Sequence, residues 1–338
     1  GEVPFDGTVR LLLTPDEESH GQYGSSYLAE QYHDVVSADM TLIPEPTRIP
    51  PLASPVCVLA EKGPLWLELT FMGYSGHGCD PKPLSSAVEK AARFISEFDS
   101  FSFPVGTVPY TVLEMLGQIN RRLTIGDLLM AVSGDEQEVS PDMEAVPGSR
   151  LYDEDPRSLS IVTDSTVSFT GVVSEMVPNK IPGEVRVSND FRLMPGIAPE
   201  ELLYALVRYS GDLGYRMVLP EPYPDPLEGN IIYSSISQRL PDITVRIITA
   251  AEGSWEDPEA PEAELLFAAY EAVYGVAALY ALSPGFTDAG HLRAAGISPV
   301  YVIGPAGEHA HGPDEYVEIP SILNTAKLYL LTALRFLR

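Results

Sequence analysis

The residues best able to do chemistry in this chain stand at the ends of short apolar segments. Residues 8–18 read TVRLLLTPDEE, a run with the look of a buried strand that finishes on three consecutive acids. Neighbouring side chains on an extended segment face opposite ways, so Glu17 and Glu18 can divide the labour, one moving protons and one binding a cation. A second apolar run, residues 40–43, is followed by Glu45 in IPEPT, and a third, residues 300–303, by the loop HAHGPDE with His309 and His311. Ligands of open α/β sheets gather at the carboxyl ends of strands, so Glu17, Glu18, Glu45 and His311 are candidates for a single site. Zinc accepts such a mixture of nitrogen and oxygen donors. A charge run such as DEE is more often wet surface, so the case rests on the elements that would carry it.

Those elements alternate. Strand, Gly-containing turn, helix at residues 26–32 and strand at 40–43 give the order of a parallel α/β layer. From residue 63 the pattern changes to the short alternation of LWLELTFMG, a helical spacing over 84–97, strands at 166–173, 184–193 and 243–250, and a helix at 199–209. That is an α+β segment with an antiparallel sheet. After SWEDPEAPEAE the α/β character returns, with a helix at 265–274, the loop GFTDAG, the strand 300–303 and a last helix at 322–337. The simplest organisation is one domain inserted into another, 63–252 between 1–62 and 253–338. Residues 133–155, rich in Pro, Gly and acids, read as a long excursion of the insert.

Composition sets the outer limits. The 338 residues, 45% of them hydrophobic, are enough for two ordinary cores. A formal charge of −27 argues against a nucleic-acid partner, whose backbone calls for clustered Lys and Arg. With no apolar run of about eighteen residues, neither a membrane span nor a membrane partner is expected. Cys57 and Cys79 are the two cysteines, too few for a disulfide framework, and a reducing cytoplasm fits best. His20, His33 and His291 read as exposed or supporting residues, and His77 in GYSGHG lies on a turn whose small neighbours permit close approach.

Six short motifs in order, TPDEE, IPEPT, GYSGHGCDPKPLSSAVEKA, VPNKIPGEVRVSNDFRLMP, GFTDAG and AHGPDEYVEI, make the chain resemble the dizinc aminoacylase and carboxypeptidase superfamily, which includes acetylornithine deacetylases and succinyl-diaminopimelate desuccinylases. The resemblance covers nearly the whole sequence. It implies a parallel-rich catalytic sheet with helices on both faces, interrupted by an inserted α+β lid that also serves dimerisation. It implies two zinc ions, with cobalt or manganese as substitutes, bound by Glu18, Glu45 and His311. Glu17 matches the general base, and His77 the lid histidine that steadies the oxyanion, often across a homodimer. Asn179 and Arg192 match residues that hold the substrate carboxylate, with Thr287 and Asp288 lining the same pocket. The implied activity is hydrolysis of an N-acyl amino acid, with carboxypeptidase or dipeptidase activity close behind. A non-catalytic relative that binds carboxylates is the alternative of another class.

The sequence departs from that pattern in one respect. Superfamily members carry a His-x-Asp motif and a bridging Asp ahead of the acidic tip, and neither occurs here; HDVV at residues 33–36 follows the DEE and has the wrong spacing. The expectation is a fragment of a longer protein, with a second polypeptide or a lost metal site as the alternatives. These residues alone are therefore not expected to bind two zinc ions.

Overall fold

Apolar runs without alternation make strands buried on both faces, and VCVLAE at residues 56–61 is such a run. In the computed structural model Cys57–Glu61 is a strand with every residue buried. The structure describes residues 6–19, 21–48, 52–81, 86–120, 164–223, 241–310 and 312–337. They divide into two units, one of Gly1–Lys62, Val108–Asp164 and Gly253–Arg338, the other of Gly63–Thr107 and Ser165–Glu252. The expected insert was continuous over 63–252. Helix Tyr110–Asn120, however, packs on the strand Tyr280–Ser283 and groups with the first unit.

The strand Cys57–Glu61 organises the five-stranded sheet of the first unit. Tyr280–Ser283 runs parallel to it, Ser254–Trp255 and Val300–Val302 antiparallel, and Thr41–Ile43 pairs in parallel with Val300–Val302. The sheet is thus mixed, and its two parallel pairings are longer than its two antiparallel ones. Cys57–Glu61, a strand not anticipated from the sequence, runs with Tyr280–Ser283 against the other three. Val56, Val58, Ala281, Val300 and Val302 pack with Ala29, Ala289 and Leu292 of helices Ser25–Gln31 and Asp288–Ala294. Helices Pro261–Tyr274 and Ile319–Phe336 pack on each other. Their tyrosine hydroxyls reach back to the chain: Tyr270 donates to the Pro55 carbonyl and Tyr329 to that of Ile303, each at 2.7 Å.

The expected strand at residues 8–14 is not one. It has no ladder partner among the described residues, and Val9, Leu11 and Leu13 are 68%, 82% and 83% exposed. An apolar run becomes a strand only when a neighbour takes up its backbone groups. Here Arg10 is the tie, its Nη1 donating to the carbonyls of Val35 and Ser37.

The second unit is built on a sheet ordered Thr166–Ser174, Glu184–Leu193, Gly63–Met72, Ile243–Ala250, Met217–Val218. Only the last pairing is parallel. Alternation decides the faces: Leu65, Leu67, Leu69 and Phe71 are fully buried, as are Val187, Phe191 and Leu193 across the register. Phe94 of helix Ala87–Ser96 and Tyr209 of helix Pro199–Asp212 meet over this face edge-on, and the Tyr209 hydroxyl donates to the Phe94 carbonyl at 2.9 Å. No helix among the described residues is long and apolar enough to cross a membrane.

The two faces of Gly63–Met72 predict unequal costs. Leu67→Ala should lose about 2–5 kcal/mol of unfolding free energy, the range for an emptied core site. Glu68→Ala, which gives up ion pairs to the exposed Arg186 and Arg246, should lose about 1 kcal/mol or less. Urea unfolding measures both, and equal losses would refute the assignment of faces.

Candidate functional site

The acidic tip forms a compact turn. Asp16 has φ 74°, a left-handed conformation that breaks any extended run, and Glu17–Ser19 is a single 3-10 turn. The period-two division of Glu17 and Glu18 to opposite sides therefore does not apply. Asp16 holds the turn together: its carbonyl accepts from the amides of Ser19 and Gly21, and its Oδ2 from that of Tyr23 at 2.9 Å. Glu17 is half-buried, whereas Glu18 is exposed.

Glu45 stands two residues beyond strand Thr41–Ile43 and is half-buried. Its backbone is held from the neighbouring strand end, where the Ile303 amide donates to the Ile43 carbonyl at 2.9 Å and that of Gly304 to Thr47 Oγ1 at 3.3 Å. The approach is so close that a Cβ on Gly304 would lie 2.1 Å from the Glu45 carbonyl oxygen. Downstream, Arg48 Nη2 pairs with Glu308 at 2.6 Å and Glu318 at 3.0 Å, tying this segment to the hairpin Gly307–Glu308 and Tyr316–Val317. His309 lies in the loop of that hairpin with φ 61°; His311 lies outside the described residues.

Two residues of GFTDAG are engaged inside the first unit. Thr287 caps helix Asp288–Ala294 by accepting from the Ala289 amide, and its hydroxyl donates to Glu61 Oε1 at 2.7 Å. Asp288 accepts from the Thr14 hydroxyl at 2.7 Å and from the Ser25 hydroxyl. Glu61 is fully buried at the end of its strand. Its Oε2 has no hydrogen-bond donor among the described residues and faces Arg293 Nη1 at 3.7 Å. Sequence reasoning missed Glu61, although the unbroken apolar run before it was the available signal.

These carboxylates are close enough for their charges to act on Glu17 and Glu45. Partial burial, then the charges of Glu45, Glu18, Asp288 and Glu61, push Glu17 up to about 7. Burial first, followed by Glu18, Asp288 and Glu61, raises Glu45. Glu61 is raised by its burial, which Arg293 and the Thr287 hydrogen bonds offset without cancelling.

The second unit brings two candidates together and separates a third. Strand Gly76–His77 pairs with Lys180–Ile181, and the Gly78 amide donates to the Asn179 carbonyl at 2.7 Å, so His77 and Asn179 are exposed neighbours. Arg192 is elsewhere: it pairs with Pro64 at the start of Gly63–Met72, whereas the chain to His77 leaves the far end, at Met72 opposite Glu184. Eight residues of strand separate those ends, about 27 Å at the strand rise. The Arg192 guanidinium grips Asp190 at 2.8 and 3.0 Å and lies over the Trp66 ring.

No group of three or more His, Cys, Asp or Glu among the described residues is placed to hold a metal ion. Glu18 and Glu45 offer the hard oxygen donors a divalent metal takes, yet with the described residues alone the set is incomplete.

The chain thus combines a mixed α/β unit, with carboxylates at or just past strand ends, and an antiparallel α+β unit. A model of Peptidase family M20/M25/M40 matches residues 2–335, and the chain belongs to that family. An uncharacterised metallohydrolase of Methanococcus maripaludis is 23% identical over 323 residues, covering 95% of this chain and 64% of that protein. One from Methanocaldococcus jannaschii is 23% identical over 322 residues, covering 95% and 63%. This chain thus spans just under two thirds of the length of those relatives. A metallo-carboxypeptidase of Sulfolobus solfataricus shares the fold, with TM-score 0.64 at 16% identity over 94% of this chain and 68% of that one. So does the dipeptidase Dug1p of Saccharomyces cerevisiae, with TM-score 0.61 at 15% identity over 95% and 64%.

The tight seat of Glu45 yields a prediction. Gly304→Ala has to displace the Pro44 and Glu45 backbone, because its Cβ meets main chain rather than a flexible side chain. It should cost about 2 kcal/mol or more, read as a lowered thermal midpoint; an unchanged midpoint would refute the close approach.

Proposed function

We propose that the protein acts as a metal-dependent hydrolase of amide bonds, removing the acyl group from an N-acyl amino acid, with cleavage of short peptides as the second reading. The observation that carries the proposal is family membership over nearly the whole chain; the charges of Glu18 and Glu45 acting on half-buried Glu17 support it. The deacylase reading draws support from a succinyl-diaminopimelate desuccinylase of Alteromonas mediterranea, 29% identical over 111 residues, which cover 32% of this chain and 28% of that enzyme. The family's own description, a peptidase family, favours the peptide reading.

In this reading Glu17 is the general base: it takes a proton from the attacking water and returns it to the departing nitrogen. Its half-buried place limits competing solvent while keeping the carboxylate reachable. Glu18, Glu45 and His311 are assigned to zinc, a set that the described residues do not complete. His77 is assigned to the carbonyl oxygen, where charge develops during attack. Asn179 beside it is assigned to the substrate carboxylate. The separation of Arg192 from both argues against a joint grip by Asn179 and Arg192 of one chain on one small carboxylate. A homodimer through the second unit is supported by the edge strand Thr166–Ser174, whose Val172 and Val173 are exposed.

The test is hydrolysis of N-acetyl and N-succinyl amino acids and of dipeptides by the purified protein, before and after chelation. Chelation should abolish turnover and zinc should restore it. Glu17→Gln should lower kcat by about 10²-fold or more, the scale of general acid–base catalysis, with an unchanged thermal midpoint. Undiminished turnover in either arm would refute the mechanism. Tight carboxylate binding without turnover of any substrate would establish the non-catalytic class instead.

A further inference from the structure

Both carboxylate oxygens of Asp288 are engaged by hydroxyls. Its Oδ2 accepts the Thr14 hydroxyl at 2.7 Å and its Oδ1 the Ser25 hydroxyl. Thr14 and Ser25 stand at the two ends of the loop that contains Glu17 and Glu18. Gly21, within that loop, faces the same carboxylate: at φ 59°, a Cβ there would lie 2.8 Å from Ser25 Oγ and 3.0 Å from Asp288 Oδ1. Gly24 passes so near the start of the loop that its Cβ would lie 1.9 Å from the Pro15 carbonyl oxygen. The loop is therefore closed at its neck, and Asp288 is the clasp.

The clasp is in turn anchored. Thr287 is committed twice, donating to buried Glu61 and accepting from Ala289, and this fixes the first turn of helix Asp288–Ala294 from which Asp288 projects. Glu61 faces Arg293 of the same helix. A chain of contacts thus runs from the sheet, through Glu61 and Thr287, to Asp288 and so to both ends of the Glu17 loop.

We propose that Asp288 is a positioning residue, whose carboxylate closes the loop between Thr14 and Ser25 and sets the place of Glu17, rather than a residue that lines the substrate pocket. The catalytic consequence rests on Glu17 acting as the base, but the loop clasp itself does not. This allows the two to fail separately.

Hydrogen exchange on the intact protein tests the clasp without any substrate. The amides of Ser19, Gly21 and Tyr23 are bonded within the loop to Asp16. In Asp288→Ala they should exchange about tenfold faster, the scale expected from losing two hydrogen bonds, while the amides of strand Cys57–Glu61 keep their protection. The double variant Thr14→Val, Ser25→Ala removes the same bonds without touching Asp288 and should give the same acceleration; combined with Asp288→Ala it should add nothing. Unchanged loop exchange in either variant, or additive effects, would overturn the proposal. With a hydrolysed substrate in hand, both variants should lower kcat by about tenfold or more with KM within about twofold, the mark of lost orientation. A KM increase confined to Asp288→Ala would assign Asp288 to the substrate and overturn it. If the unaltered protein turns over no substrate, the proposed function fails while the exchange measurements still decide the clasp.

Discussion

The first unit depends on a buried guanidinium. Arg293 Nη2 donates to the Val300 carbonyl, Nη1 to Ser254 Oγ at 3.3 Å and Nε to Glu256 at 3.2 Å, while Nη1 faces Glu61 at 3.7 Å. Three strands, Cys57–Glu61, Ser254–Trp255 and Val300–Val302, and one helix thereby share a single side chain. Glu256 extends the tie, accepting from the Ser298 hydroxyl at 2.7 Å and the Val300 amide at 2.8 Å. Burying such charges brings little net stability, because desolvation offsets most of the attraction. Removing one partner strands the others and costs about 3–5 kcal/mol. What the arrangement gains is uniqueness: a planar fork of donors can be satisfied in few ways, so strand ends joined through it hold a definite register.

That definite framework is what allows carboxylates to be held where they repel. Burial first, and then the charges of Glu45, Glu18, Asp288 and Glu61, push Glu17 up to about 7. A flexible surface would relax such repulsion by turning the side chains into water. Here Asp288 is held by two hydroxyls, Glu61 by Thr287, and the Glu45 backbone by its contact with Gly304. The fold spends stability to keep negative charge together, a common signature of a functional site.

Much of this was legible in the sequence where a single pattern decided the outcome. Strand Glu184–Leu193 and strand Ile243–Ala250 follow from period-two alternation, and the helix expected at 265–274 is present but begins earlier, at Pro261, a residue suited to a first turn. The pattern misled at residues 8–14, whose apolar character suggests a core strand but which find no pairing partner among the described residues. At Cys57–Glu61 the unbroken apolar run was a signal, but a short one between turn-like segments.

The roles of polar residues were harder to read, for a physical reason. A hydroxyl or carboxylate in a loop acquires its role from the partner that tertiary structure supplies, and no periodicity encodes that partner. Thr287 and Asp288 stand in GFTDAG as free-looking polar groups, yet Glu61, distant by 226 residues, takes the Thr287 hydroxyl, and Thr14, distant by 274, donates to Asp288. Arg192 similarly looks like an open carboxylate grip until Asp190, two residues away on the same face, takes up both arms of its fork. A side chain already satisfied inside the fold gains little by exchanging that partner for a ligand of like chemistry. Accounting for each donor and acceptor therefore separates residues that could meet a substrate from those that hold the meeting place, and it puts Asp288 in the second group.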